Sequence, residues 1–195
     1  GAENIPAEGA AILASNHLSF SDSIFLPLVV DRRVTFLAKS DYFTGPGIKG
    51  WLTAAFFRGV GQLPIDRSGG KASEAALNAG LRVLDTGDLL GLYPEGTRSR
   101  DGRLYKGKPG VGRLAVATGA PVVPCALIGT DEVQPVGAKG LRPRKVTVRF
   151  APPVDVAGLS QQHVKSRLYR AITDATMDAI ARRSPQVQAG EFAAR

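Results

Sequence analysis

Short apolar runs alternate with stretches of helical periodicity along most of this chain, and no other feature restricts its fold as much. Strand patterns fall near residues 10–15, 35–39, 62–66, 89–93, 122–128 and 146–150, and helical patterns near 23–30, 73–86, 111–118 and 160–183. That alternation predicts an α/β protein, a single mixed, largely parallel sheet flanked by helices. Leu77, Leu81 and Leu84 recur at i, i+4 and i+7 in a helix that Gly87 ends, the spacing of a helix that covers a sheet. A chain of 195 residues with 44% hydrophobic content suits one domain with its own core, read here over 1–183 and followed by a flexible tail over 184–195.

The first strand pattern runs into Asn16-His17-Leu18-Ser19-Phe20-Ser21-Asp22, which sets an imidazole and a carboxylate five residues apart. Five residues on a regular helix turn side chains about 140° apart. The two meet only if His17 lies in the turn before the helix and Asp22 on its first turns. A histidine held by a carboxylate is a ready general base. The other reading makes His17 an ordinary turn residue and Asp22 a helix cap.

Three further segments accompany it in order: Gly61-Gln62-Leu63-Pro64-Ile65-Asp66-Arg67, Pro94-Glu95-Gly96-Thr97-Arg98-Ser99 and the proline-bearing strand Val122-Val123-Pro124-Cys125-Ala126-Leu127-Ile128. With N-H-x-x-x-x-D as the first block, this set resembles the glycerolipid acyltransferase family, the PlsC-like 1-acylglycerol-3-phosphate acyltransferases, over roughly residues 3–155. The resemblance implies a fatty acyl group moved from acyl-CoA or acyl carrier protein to the free hydroxyl of lysophosphatidate, with no further cofactor. His17 and Asp22 are then the catalytic pair, and Glu95, Gly96, Thr97 and Arg98 bind the acceptor. Arg67 is a second phosphate-facing cation by the same resemblance, and Lys39 and Lys106 stand where the family carries lysines near donor or acceptor phosphates.

Elementary chemistry agrees with that assignment for Arg98, which follows an apolar strand. There a guanidinium takes a phosphate through two hydrogen bonds, while Gly96 lets the backbone approach. The competing readings are a surface ion pair of Glu95 with Arg98, and of Asp66 with Arg67. Glycerol 3-phosphate or another lysophospholipid is the alternative acceptor, and a non-catalytic basic module binding anionic lipid is the alternative of another class. Pro64 and Asp41 depart from the family pattern, which commonly has an aromatic or β-branched residue and a glutamate at these places.

Other signatures fail. Gly102-Arg103-Leu104-Tyr105-Lys106-Gly107-Lys108 resembles a phosphate-binding loop until Pro109 replaces the hydroxyl residue that would hold magnesium. Gly110-Val111-Gly112 lacks the preceding strand of a dinucleotide fingerprint, so its glycines read as punctuation and close helix packing. There is no G-x-S-x-G elbow, Cys125 reads as a buried small apolar residue, and His163 as a surface helix residue. One cysteine and two distant histidines offer no metal cluster and no intramolecular disulfide, which favours the cytoplasmic side.

A net charge of +8 calls for an anionic partner, and membrane phospholipid fits better than nucleic acid, for which no basic helix or stacking motif is present. The loop 134–143 with Arg144 adds a basic surface that carries Lys139 and Arg142. No apolar run approaches the roughly 20 residues of a membrane span, and the expected position is peripheral, at the cytoplasmic face of the cell membrane. A segment of the parent protein is expected before Gly1. In residues 47–58, Ile48, Trp51, Leu52, Ala55 and Phe56 form one helical stripe with Lys49 and Arg58 off it. Such a stripe either packs on the core, lies at a lipid interface or walls an acyl groove.

Overall fold

The computed structural model describes residues 1–65, 72–138 and 140–194. Among them, β1 (Ala11–Ser15), β2 (Val34–Lys39), β3 (Gln62–Ile65), β4 (Leu89–Leu92), β5 (Val122–Ile128) and β6 (Thr147–Phe150) form one sheet in the order β3-β2-β4-β1-β5-β6. Neighbours are parallel except β5 and β6, so the mixed, largely parallel sheet is as the sequence predicts. The helices are α1 (Asp22–Leu28), α2 (Gly47–Gly59), α3 (Ala72–Asp85), α4 (Gly110–Thr118), α5 (Thr130–Val133), α6 (Val156–Gln162) and α7 (Lys165–Ala181).

β1 lies between β4 and β5 and is wholly buried. Its alternating side chains serve two cores. Ile12 and Ala14 join Leu84 of α3, Leu114 of α4 and Ile172 of α7, whereas Ala11 and Leu13 join Leu26 of α1 and Phe36 of β2. Burial on both faces is why the strand is apolar throughout. Gly112 is where α4 meets α7: a Cβ there would run into the Tyr169 carbonyl, so the glycine serves close packing.

Two expectations change. The helical pattern over 160–183 is broken, because α6 starts earlier, with Asp155 Oδ1 accepting the Gly158 N–H at 2.8 Å, and ends before extended His163 and Val164. His163 therefore lies at the break, not on a helix. Leu159 and Leu168 face the same core on either side, so the periodicity gives no sign of the interruption. Residues 184–191, expected as a tail, run beside the loop after β4. Leu104 donates to Val187 O at 2.9 Å, Ala189 to Leu104 O at 2.8 Å and Lys106 to Glu191 O at 2.8 Å. A polar composition suggested fraying; backbone pairing with a loop distant in sequence holds the segment instead.

Because β1 to β5 are parallel, their C-terminal ends share one edge, and adjacency of β1 and β4 sets the loops 16–21 and 93–109 side by side. Ligands in open α/β sheets bind outside such carboxyl ends.

Candidate active site

His17 lies in the turn after β1, and Asp22 is the first residue of α1, the arrangement that their spacing requires. His17 Nδ1 is 2.8 Å from Asp22 Oδ2, with the imidazole 18% exposed and the carboxylate fully buried. The same oxygen accepts the N–H groups of Leu18 at 2.7 Å and Ser19 at 2.9 Å. Asp22 thus shapes the turn and also orients the ring. With Nδ1–H donating to the carboxylate, the Nε2 lone pair is left to accept a proton.

The loop after β4 grips His17 by its backbone. Glu95 Oε1 accepts the His17 N–H at 2.9 Å, and the Ser99 N–H donates to His17 O at 2.7 Å. The other Glu95 oxygen accepts the Tyr105 N–H at 2.9 Å. Glu95 is fully buried, and burial pushes its carboxyl up to about 7, opposed by the N–H donors of Tyr105 and His17 and reinforced by the charges of Asp22 and Asp101. Glu95 therefore forms no surface pair with Arg98, which is exposed and has no ion pair among the described residues.

Tyr93 supplies the imidazole's second support. The rings stack with centroids 3.8 Å apart and planes at 7°, and Tyr93 lies in turn against Phe36 at 5.3 Å. Burial pushes the Tyr93 phenol well above the usual range, with the Asp22 charge adding to it and Ser23 opposing it, and among the described residues the buried hydroxyl has no hydrogen bond of good geometry. Tyr93→Phe is therefore expected to keep turnover within about twofold and to leave stability equal or up to about 1 kcal/mol higher. Tyr93→Ala, which removes the stacked ring, is expected to lower both in paired turnover and thermal-unfolding measurements.

Around this pair, Gly96 turns the chain at φ 76° and is exposed, Thr97 is half-buried, and Gly96 N–H donates to Tyr93 O at 3.0 Å. Positive φ is open to glycine at little strain. Lys106 is exposed, but the lysine against the Gly96 turn is Lys108: a Cβ built on Gly96 would lie 3.0 Å from its Nζ. Lys39 closes β2 at the same edge, and its side chain lies outside the description. Arg67 and Asp66 lie outside the described residues, as does Lys139. Cys125 is buried and its thiol is pushed up by burial, in keeping with a small apolar residue.

The sequence reading missed Gln186. Its Oε1 accepts from Asn16 Nδ2 at 2.6 Å and its Nε2 donates to Gly102 O at 2.9 Å. Asn16 also exchanges bonds with Leu127, through Nδ2 to O at 2.9 Å and from N to Oδ1 at 2.7 Å. The C-terminal segment thereby ties the His17 turn to the loop after β4. The sequence carries a signal only for Asn16, as part of its motif; nothing marks a glutamine in a polar terminus.

Together these groups provide an oriented imidazole whose Nε2 has no partner among the described residues, a buried carboxylate to stabilise the imidazolium, and cations for an anionic substrate. Comparison with known proteins agrees. The acyltransferase family model matches residues 1–128. A chloroplastic 1-acyl-sn-glycerol-3-phosphate acyltransferase of Brassica napus is 34% identical over 142 residues, covering 72% of this chain and 40% of that protein. A 1-acyl-sn-glycerol-3-phosphate acyltransferase of Limnanthes douglasii is 34% identical over 146 residues, 74% of this chain and 50% of its own length. Among solved structures, the 1-acyl-sn-glycerophosphate acyltransferase PlsC from Thermotoga maritima matches with a TM-score of 0.69 at 28% identity, over 94% of this chain and 70% of that one. The chain thus spans half or less of the two plant relatives' length.

Proposed function

The chain belongs to the acyltransferase family, and on that premise we propose that it transfers a fatty acyl group from an acyl-CoA or acyl carrier protein thioester to the free hydroxyl of 1-acylglycerol 3-phosphate, forming phosphatidate. The observation that carries this reading is the 2.8 Å His17–Asp22 contact beside the Gly96 turn. Nε2 of His17 takes the hydroxyl proton as the oxygen attacks the thioester carbonyl. A C–O bond forms, the tetrahedral intermediate collapses with loss of the C–S bond, and the imidazolium returns the proton to the departing thiolate. Attack is direct, with no acyl-enzyme. Arg98 and Lys108 hold the acceptor phosphate, with Arg67 and Lys39 assigned to donor or acceptor phosphates by family resemblance and the exposed Lys106 left to the donor. The enzyme works as a peripheral protein at the cytoplasmic face of a membrane; among the described residues no helix is long and apolar enough to cross one.

Thiol release from palmitoyl-CoA tests the reading. Release that requires 1-acylglycerol 3-phosphate and yields phosphatidate is expected; preference for glycerol 3-phosphate moves the enzyme one step earlier, and no release with either overturns the assignment. In the same assay Lys108→Ala should raise the acceptor KM about tenfold or more, the worth of one charge-assisted hydrogen bond, whereas Lys106→Ala should change it less than about twofold.

A further inference from the structure

The stripe of α2 faces outward. Ile48 is 78% exposed, Trp51 66%, Leu52 55% and Phe56 49%, while the helix is seated through Ala54 and Phe57, each 4% exposed. Core packing, the commoner fate of such a stripe, is therefore not what this helix does. Leu63 of β3, the edge strand that α2 packs beside, is exposed as well. A contiguous apolar surface rimmed by polar residues marks an interaction site.

The charges choose the partner. Lys49 and Arg58 are exposed, and α2 has no acidic residue. Two copies of a +8 chain brought together on this face would set four cations against one another with no acid on either helix. An anionic bilayer offers the complement: acyl chains for the stripe, headgroup phosphates for the cations, and an interfacial zone for tryptophan.

We propose that α2 lies in the headgroup region of an anionic phospholipid bilayer with Ile48, Trp51, Leu52 and Phe56 immersed. The helix is also joined to the chemistry. Phe57 meets Phe20 of the His17 turn edge-on at 5.7 Å and stacks on Tyr42 at 4.8 Å. One aromatic layer thus separates the bilayer from the catalytic turn, so a lipid acceptor is delivered beside His17. This last step rests on the proposed function; the contact of α2 with lipid does not.

Trp51 is the only tryptophan of the chain, so its emission reports this helix alone. Titrating the chain with phosphatidylcholine vesicles, with and without phosphatidylglycerol, should shift the emission to the blue, expose it to quenching by brominated acyl chains, and do so more strongly with the anionic lipid and at low salt. The double variant Ile48→Ser/Leu52→Ser alters exposed positions only; with its circular dichroism unchanged, it should lose vesicle affinity at least about tenfold. Its turnover should fall with vesicle-borne acceptor and stay unchanged with a short-chain acceptor dissolved as monomers. An emission indifferent to both vesicles overturns the proposal, as does a variant that binds like the parent. A lipid-independent blue shift with a dimer mass in light scattering assigns the face to a second copy and overturns it too. Vesicle binding through Trp51 without turnover of any acceptor leaves the membrane contact standing and removes the acyl-transfer reading.

Discussion

If the proposed acyl transfer holds, replacing His17 by alanine is expected to lower its rate by about 10²- to 10⁴-fold, the worth of a general base, with little change in fold. The reason lies in how His17 is held. Its N–H goes to Glu95 and its carbonyl accepts from Ser99, and both bonds use the backbone, which alanine keeps. The Asp22 oxygen that loses the imidazole still accepts the Leu18 and Ser19 N–H groups, so it keeps two of its three donors. The damage is confined to chemistry. Asp22→Ala is the contrast, because it deprives three donors of one acceptor at a fully buried position and is expected to lower stability by about 2–4 kcal/mol as well as turnover. Thiol release and thermal unfolding on the two variants separate these outcomes. A His17→Ala protein with a tenth or more of the parent rate would exclude His17 as the base.

The second large effect is a pH dependence of stability carried by Glu95. Its carboxyl is pushed from 4.5 to about 7 by burial, so between these values the folded chain holds a proton that the unfolded chain releases. The stabilising contribution is present below about pH 4.5 and is lost as pH rises through 7, by roughly 3 kcal/mol in all. Glu95→Gln, which cannot titrate, should be less stable at low pH, where its amide meets the His17 and Tyr105 N–H donors less well. It should lack the decline that the parent shows toward neutral pH. Urea unfolding of both proteins from mildly acidic to mildly alkaline pH reads the difference directly, and parallel profiles would refute the assignment. The same carboxyl titrates within the range of an ordinary imidazole, so Glu95→Gln should also simplify the pH–rate profile while leaving the His17 base in place.

The sequence alone determined most of the elements and the meeting of His17 with Asp22, because both rest on local rules. A continuous apolar run as short as Val122–Ile128, set between Pro121 and Gly129, reads as a buried strand and not as a helix. A histidine and a carboxylate five residues apart can meet in very few ways. The position of Arg98 after a strand end was legible for the same reason. What the neighbours would be was not.

Glu95 reads as part of an acceptor-binding loop, yet it is a buried clasp between two backbone segments, because its partners, His17 and Tyr105, come from different loops. Lys106 and Lys108 are alike in sequence, and only the turn of the chain brings Lys108 to Gly96. Gln186 belongs to a polar terminus until the backbone pairing of Leu104 with Val187 and Ala189 brings it to Asn16. The stripe on α2 has the period of a core-facing helix, and periodicity states which residues share a face, never what that face meets. That is decided by long-range packing: Phe57 found the aromatic layer under Phe20, and the stripe was left outside.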